Sequence, residues 1–370
     1  MKSSAAIPVL MVASLFAASV EPYRLALPGY RYEFPRDHFN HPDFQTEWWY
    51  YTGSLSTAQG ERFGFELTFF RQGVDRDPRD TGVWDVRDVW MAHLALSDIR
   101  GQRFFHTERL NRSGAGIAGA DLKSGRIWNG NWQARWTLDP SARSGFASQD
   151  LEAVADRFSF KLSMRSEKDP VIHGANGVSQ KAEGPGRASH YISLTRLQTS
   201  GVIVIDQNRF QVEGASWMDH EFFTHQLTPD QIGWDWFSLQ FGDGSEVMLF
   251  QIRRKDGSID PFAAGTYVDP GGHVKHLARG DFSLTPGQIW ASPKTGARYP
   301  IEWSIRIPPL GLDAALSTRL RSQELTGKSR LSPAYWEGAI DVTGTKGSEA
   351  IKGLGYLEMT GYTGKPPLSD

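Results

Sequence analysis

The stretch Trp48-Trp49-Tyr50-Tyr51-Thr52-Gly53-Ser54-Leu55, followed by Gly64-Phe65-Glu66-Leu67-Thr68-Phe69-Phe70-Arg71, is answered later in the chain. Trp234-Asp235-Trp236-Phe237-Ser238-Leu239 is followed there by Val247-Met248-Leu249-Phe250-Gln251-Ile252-Arg253. A second echo closes each half: Val212-Glu213-Gly214-Ala215-Ser216-Trp217-Met218-Asp219 matches Ile351-Lys352-Gly353-Leu354-Gly355-Tyr356-Leu357-Glu358 at a constant offset of 139 residues. Residues 128–136 and 299–307 supply a third matched region between them. Similarity in fixed order marks a repeated structural unit. The boundary is expected near Thr224, giving units over 30–224 and 225–365.

Each unit reads as strand. Residues 62–70, 89–96 and 158–164 alternate or run apolar over strand-like lengths, with turn clusters between them at 75–82, 174–186 and 269–272. The polar 174–186 segment is expected to be a mobile loop. A repeated, strand-rich unit must manage its sheet edges, and closure into a barrel does so. The expected fold is therefore all-β, with two tandem β-barrels packed side by side. A barrel lumen and the crevice between the copies both offer a ligand site.

Bulk composition excludes several classes. Lys and Arg number 40 against 42 Asp and Glu, without a run of five like charges, so no basic stripe is offered to a nucleic acid. The 13 Trp, 21 Phe and 38 Gly suit short strands joined by tight turns. Absence of Cys removes disulfides, catalytic thiols and thiolate metal sites together. Residues 1–19 carry Lys2 and then an apolar run ending in Ala17-Ala18-Ser19, the pattern of a signal peptide. Later stretches fall short of the ~18 apolar residues of a transmembrane span, so a periplasmic or secreted protein is expected.

The densest polar cluster is Trp217-Met218-Asp219-His220-Glu221-Phe222-Phe223-Thr224-His225. His220 and His225 are five apart, which on a helix turns them about 140° from each other and rules out a metalloprotease motif. On a strand, Trp217, Asp219 and Glu221 share one face while Met218, His220 and Phe222 share the other. Two buried carboxyls side by side raise at least one pKa and make a proton donor at neutral pH, although acids at a barrel rim also commonly bond backbone amides or Arg. Glu47 precedes the aromatic run, either as an exposed acid at the strand start or as a group reaching the same cavity. His93 lies in an apolar strand, Met91-Ala92-His93-Leu94, and Asp235 lies between two indoles able to shelter a cation. Nucleophile-elbow, phosphate-loop and dinucleotide signatures are missing, and neither a metal nor a cofactor is expected.

Thr46-Glu47-Trp48-Trp49-Tyr50-Tyr51-Thr52-Gly53, Met91-Ala92-His93, Ser216-Trp217-Met218-Asp219-His220-Glu221-Phe222, Gly233-Trp234-Asp235-Trp236-Phe237 and Tyr335-Trp336-Glu337-Gly338 together resemble one family. It is that of the carotenoid 1,2-hydratases (hydroxyneurosporene synthases) and their secreted AttH-like relatives, often labelled hydrolases. The resemblance implies two lipocalin-like (calycin-type) domains and a hydrophobic, isoprenoid or lipid-like ligand that is hydrated or hydrolysed with acid assistance. Asp219 or Glu221 would be the acid, with His220 or His93 guiding water. Glu47, Trp49, Tyr51, Trp217, Trp234, Asp235, Trp236 and Tyr356 would face the ligand. The competing class is a non-enzymatic carrier of a lipophilic molecule, linked to a membrane transport system. A glycan-binding protein would instead need several Trp on one open surface.

Overall fold

The computed structural model describes residues 23–74, 82, 85–327 and 334–364. The expected signal peptide lies outside the described residues, as does most of the 75–82 turn cluster. Apart from three short 3-10 turns, the regular structure of the described residues is strand.

The first sheet runs, in space, Arg103–Arg112, Asp88–Asp98, Arg62–Gly73, Thr46–Ser56, Asn208–Phe223, Ala188–Ile205, Phe158–Ser166, Phe146–Val154, Trp132–Leu138, Arg126–Asn129 and Ala118–Asp121. Neighbours along this path are antiparallel, and side chains close the seam. Asn111 Nδ2 donates to Asn129 Oδ1 at 2.5 Å, and Asn129 Nδ2 donates to the Trp90 carbonyl at 3.1 Å. The result is a nearly closed barrel. The second sheet is a half-barrel in the order Val274–Leu277, Ala264–Val268, Glu246–Arg254, Gln231–Phe241, Glu349–Met359, Tyr335–Lys346, Leu312–Ser317, Glu302–Ile307 and Ser283–Pro286. The two echoed motifs of each half turn out to be hydrogen-bonded neighbours. Thr46–Ser56 pairs with Asn208–Phe223, and Gln231–Phe241 pairs with Glu349–Met359. Each copy thus joins its opening strand to its closing strand, leaving the edges to shorter strands.

Three apolar layers follow from the period-2 alternation of these strands. Trp49, Tyr51, Phe65, Leu67 and Met218 fill the first barrel. Phe237, Leu239, Leu249, Trp303 and Leu357 fill the second. Trp48, Tyr50, Trp217, Trp236, Phe250 and Tyr356 form a layer between the two sheets. Gly64 permits the sheets to touch, since a Cβ there would lie 2.8 Å from the Ala339 Cβ. The 174–186 segment, expected as a mobile loop, is tied down: Ser179–Gln180 pairs with Ala188–Ile205, and Gln231 Nε2 donates to the Lys181 carbonyl at 2.8 Å. Lys181 within it is buried against the inter-sheet layer, over the Phe250 ring.

Candidate active site

A cavity of about 100 Å³ lies within the inter-sheet layer. Its walls are aromatic: Trp48, Tyr50 and Phe70 come from the first sheet, and Trp234, Trp236 and Phe250 from the second. Between them stand four carboxyl groups, Asp219, Glu221, Glu337 and Glu358. Register explains the placement. Tyr50 pairs with Asp219 and Trp48 with Glu221, while in the second sheet Trp236 pairs with Glu358. Cross-strand partners share a face, so each aromatic side chain carries an acid beside it. The next strand completes the equivalence: Ser193 lies opposite Asp219, whereas Glu337 lies opposite Glu358. Where the first copy has a serine, the second has another acid.

Burial governs the protonation of these groups. Asp219 is pushed up to about 7 by desolvation, although three donors oppose this. They are the Tyr191 hydroxyl at 2.6 Å, the Trp217 indole N–H at 2.5 Å and the Ser193 hydroxyl. Glu358 is pushed up to about 8 by burial. Glu337 is raised well above the carboxylate range by burial and then by the neighbouring Glu66 and Glu358. Glu66, fully buried beside them, also rises to about 8 through desolvation. Glu66 Oε2, His93 Nε2 and the Tyr356 hydroxyl have no hydrogen-bond partner, while the Tyr50 and Tyr335 hydroxyls approach the Glu337 carboxyl and partly offset its rise. Buried polar atoms left unpaired are costly and mark places where a ligand or substrate atom is received. Burial lowers His93 to about 4, so it is neutral at pH 7, with Nδ1 2.6 Å from the Tyr335 hydroxyl.

The structure divides the residues expected from sequence into two groups. Asp219, Glu221, His93, Trp234 and Trp236 line the cavity. Trp217 stands behind Asp219 as its donor, and Tyr356 is buried in the same layer. The rest point away. Glu47, Trp49 and Tyr51 alternate with Trp48 and Tyr50 and so turn into the first barrel, where the Tyr51 hydroxyl donates to Gln149 Oε1 at 3.0 Å and the Trp49 ring stacks on His220. His220 follows for the same reason. Asp235 is buried on the far side of its strand, bonded to Gln251 Nε2 and the Tyr362 hydroxyl, each at 2.9 Å.

Glu47 centres a second buried cluster. Its Oε1 meets His41 Nδ1 at 2.7 Å and His220 Nε2 at 2.8 Å, and its Oε2 accepts from Arg71 Nε at 3.0 Å and the His41 amide at 2.9 Å. These His41, Glu47 and His220 atoms form the one group among the described residues with metal-ligand proximity. The carboxylate lone pairs are, however, already used, and the Arg71 guanidinium fixed beside them opposes a dication. Burial raises the Glu47 carboxyl, yet His41, His220 and Arg71 outweigh it and hold the group well below the usual range. The cluster clamps the segment before Thr46 onto the barrel end.

Sequence reading missed Trp48, Tyr50, Phe70, Lys181, Phe250, Tyr335, Glu337 and Glu358 as cavity residues. Tyr335, Glu337 and Glu358 were visible in the motifs at 335–338 and 355–358, but nothing local marked them as facing a cavity.

A family model described as AttH-like matches residues 25–362. The crystal structure of a Nitrosomonas europaea protein described as AttH is 31% identical and superposes with a TM-score of 0.81, covering 92% of this chain and 99% of that one. Kievitone hydratase from Nectria haematococca shares the fold at 16% identity and a TM-score of 0.67, covering 92% of this chain and 97% of its own. The dehydratase asqC of Emericella nidulans is 21% identical over 282 residues, 74% of this chain and 77% of that protein.

Proposed function

Since this chain belongs to the AttH-like family, we propose that it adds water to, or removes water from, an unsaturated apolar small molecule held between its two sheets. One observation carries the reading: carboxyl groups with raised pKa, Asp219, Glu337 and Glu358, converge on a single cavity walled by indole rings. The hydratase and dehydratase descriptions of two distant relatives agree with this reaction class.

The chemistry divides among the acids by environment. Burial favours the protonated form of Glu358, which rises to about 8, and of its partner Glu337, whose carboxyl the Tyr50 and Tyr335 hydroxyls approach. This pair delivers the proton to one alkene carbon, the π electrons forming the new C–H bond. The faces of Trp48, Trp234 and Trp236 shelter the cation left on the other carbon. Water then attacks that carbon and gives up a proton to Asp219, whose ionised form is held by Tyr191, Ser193 and Trp217. Dehydration is the same path reversed. His93, neutral and with one free ring nitrogen, is placed to orient the water. Export of the mature chain, with a lipid-like ligand met outside the cytoplasm, belongs to the same proposal. Its support is the apolar 1–19 leader pattern.

The test starts from whatever organic compound copurifies with the protein, identified by mass spectrometry of a solvent extract. Incubation of that compound with the protein in oxygen-18 water is expected to yield a hydrated product carrying the heavy oxygen. Stoichiometric binding with the compound recovered unchanged would overturn the enzyme reading in favour of a carrier, which needs only the apolar walls.

A further inference from the structure

Among the described residues Lys181 is the one lysine lining the cavity, and the reaction above does not use it. Its backbone is fixed by the Gln231 side chain and by its own amide, which donates to the Arg187 carbonyl at 2.9 Å. The Nζ atom lies over the Phe250 ring, 3.9 Å from its centroid, and 5.1 Å from that of Tyr191. Glu221 Oε2 is 3.6 Å away, beyond hydrogen-bond length, and already accepts from Ser189 and Gln226. Lys168 shows the contrast of a structural lysine. Its Nζ donates to the Gly244 and Asp269 carbonyls and to Glu246 Oε2, all within 2.7 Å. Lys181 is instead a buried amine facing a cavity, over an aromatic ring and beside carboxyl groups able to pass protons. Desolvation favours its neutral, nucleophilic form and outweighs the opposing pull of Glu221 and Asp219.

We propose that Lys181 is a covalent site, whose amine condenses with the carbonyl group of an aldehyde or ketone bound in the cavity. The nitrogen lone pair attacks the carbonyl carbon, and the oxygen takes a proton from a neighbouring carboxyl group. The attacking nitrogen gives one of its protons to the carboxylate so formed, which passes it to the carbinolamine hydroxyl, and that oxygen leaves as water, leaving an iminium. With a β-hydroxy carbonyl compound, the iminium draws electrons from the α-carbon as a carboxylate removes its proton, giving an enamine. The β-hydroxyl then leaves as water with a proton from a carboxylic acid. Hydrolysis of the conjugated iminium returns the amine and releases the unsaturated carbonyl compound. This second half rests on the water-removal reading of the site and names its substrate class. The condensation itself does not.

The intact protein is incubated with cinnamaldehyde and cyanoborohydride, which converts an iminium to a stable secondary amine, and modified lysines are mapped by peptide mass spectrometry. Lys181 is expected to label faster than the surface lysines, because burial favours its neutral amine and the cavity holds the aldehyde beside it. Its advantage should shrink as pH approaches the ordinary lysine range. Lys181→Arg and Lys181→Met should lose the fast label while the slow surface labelling stays unchanged. Labelling of Lys181 no faster than the surface lysines overturns the proposal, on wild-type protein alone if both variants fail to fold. Fast labelling supports the covalent site even when no compound gains or loses water, so the two readings fail separately.

Discussion

Glu358→Gln tests the electrostatics of the site through folding stability, independently of any substrate. The Glu358 carboxyl has an ordinary value of 4.5 and rises to about 8 in the folded chain because it is fully buried. The folded state therefore keeps a proton that the unfolded state releases. Its contribution is present in full below pH 4.5 and is lost as pH rises towards 8, at about 1.36 kcal/mol per pH unit. Between pH 5 and pH 8 the ceiling is about 4 kcal/mol. Glu66 and Glu337 share the same protons, so the observed loss should fall below that ceiling. Glutamine keeps the shape and cannot ionise. The variant should gain stability relative to wild type steadily across this range, whatever offset separates the two at pH 5. Urea titrations at half-unit steps of pH measure it. Parallel stability curves for the two proteins would refute the reasoning, because they would mean that Glu358 titrates normally in the fold.

Asp219→Asn and Glu221→Gln should separate chemistry from structure. If Asp219 exchanges protons with the substrate, its replacement lowers kcat by about 10²–10⁴-fold, with Tm changed only by the loss of charged hydrogen bonds. A large fall in Tm with unchanged turnover by the folded fraction would contradict this. Glu47→Gln should do the reverse, lowering stability because Arg71 and His41 lose a buried carboxylate and keep only Asp88 and Asp37 beside them, a cost below the about 3–5 kcal/mol of a fully broken buried pair. Ligand binding by its folded fraction should be retained, and selective loss of binding at unchanged Tm would show that Glu47 serves the cavity. Trp236→Phe removes the indole donor bonded to the Tyr191 hydroxyl at 2.9 Å, worth about 0.5–1.5 kcal/mol, along with part of the cation shelter. Catalysis should weaken more than stability, as read from kcat against urea midpoint. N-terminal sequencing of periplasmic protein should find the leader removed near Ser19, and full-length cytoplasmic protein would count against export.

The sequence by itself determined the class and the repeat, because both are written in local periodicity and in order along the chain. Alternation also sorted the 217–222 strand into its two faces, placing Asp219 and Glu221 together and His220 apart from them. It did not say which face of a strand meets which layer. Thr46–Ser56 is buried almost throughout, so Glu47, Trp49 and Tyr51 look as ligand-facing as Trp48 and Tyr50 until the second sheet is docked against one side. Tertiary structure alone decided the site in the same way. Glu337 becomes an acid of the cavity only because its strand pairs with the one bearing Glu358, and Lys181 looks like a surface residue of a polar loop until that loop folds beneath Phe250. A pKa is set by what surrounds a group in space, and the cavity around these groups joins Thr46–Ser56 to Asn208–Phe223 and one sheet to the other, segments more than a hundred residues apart in the chain.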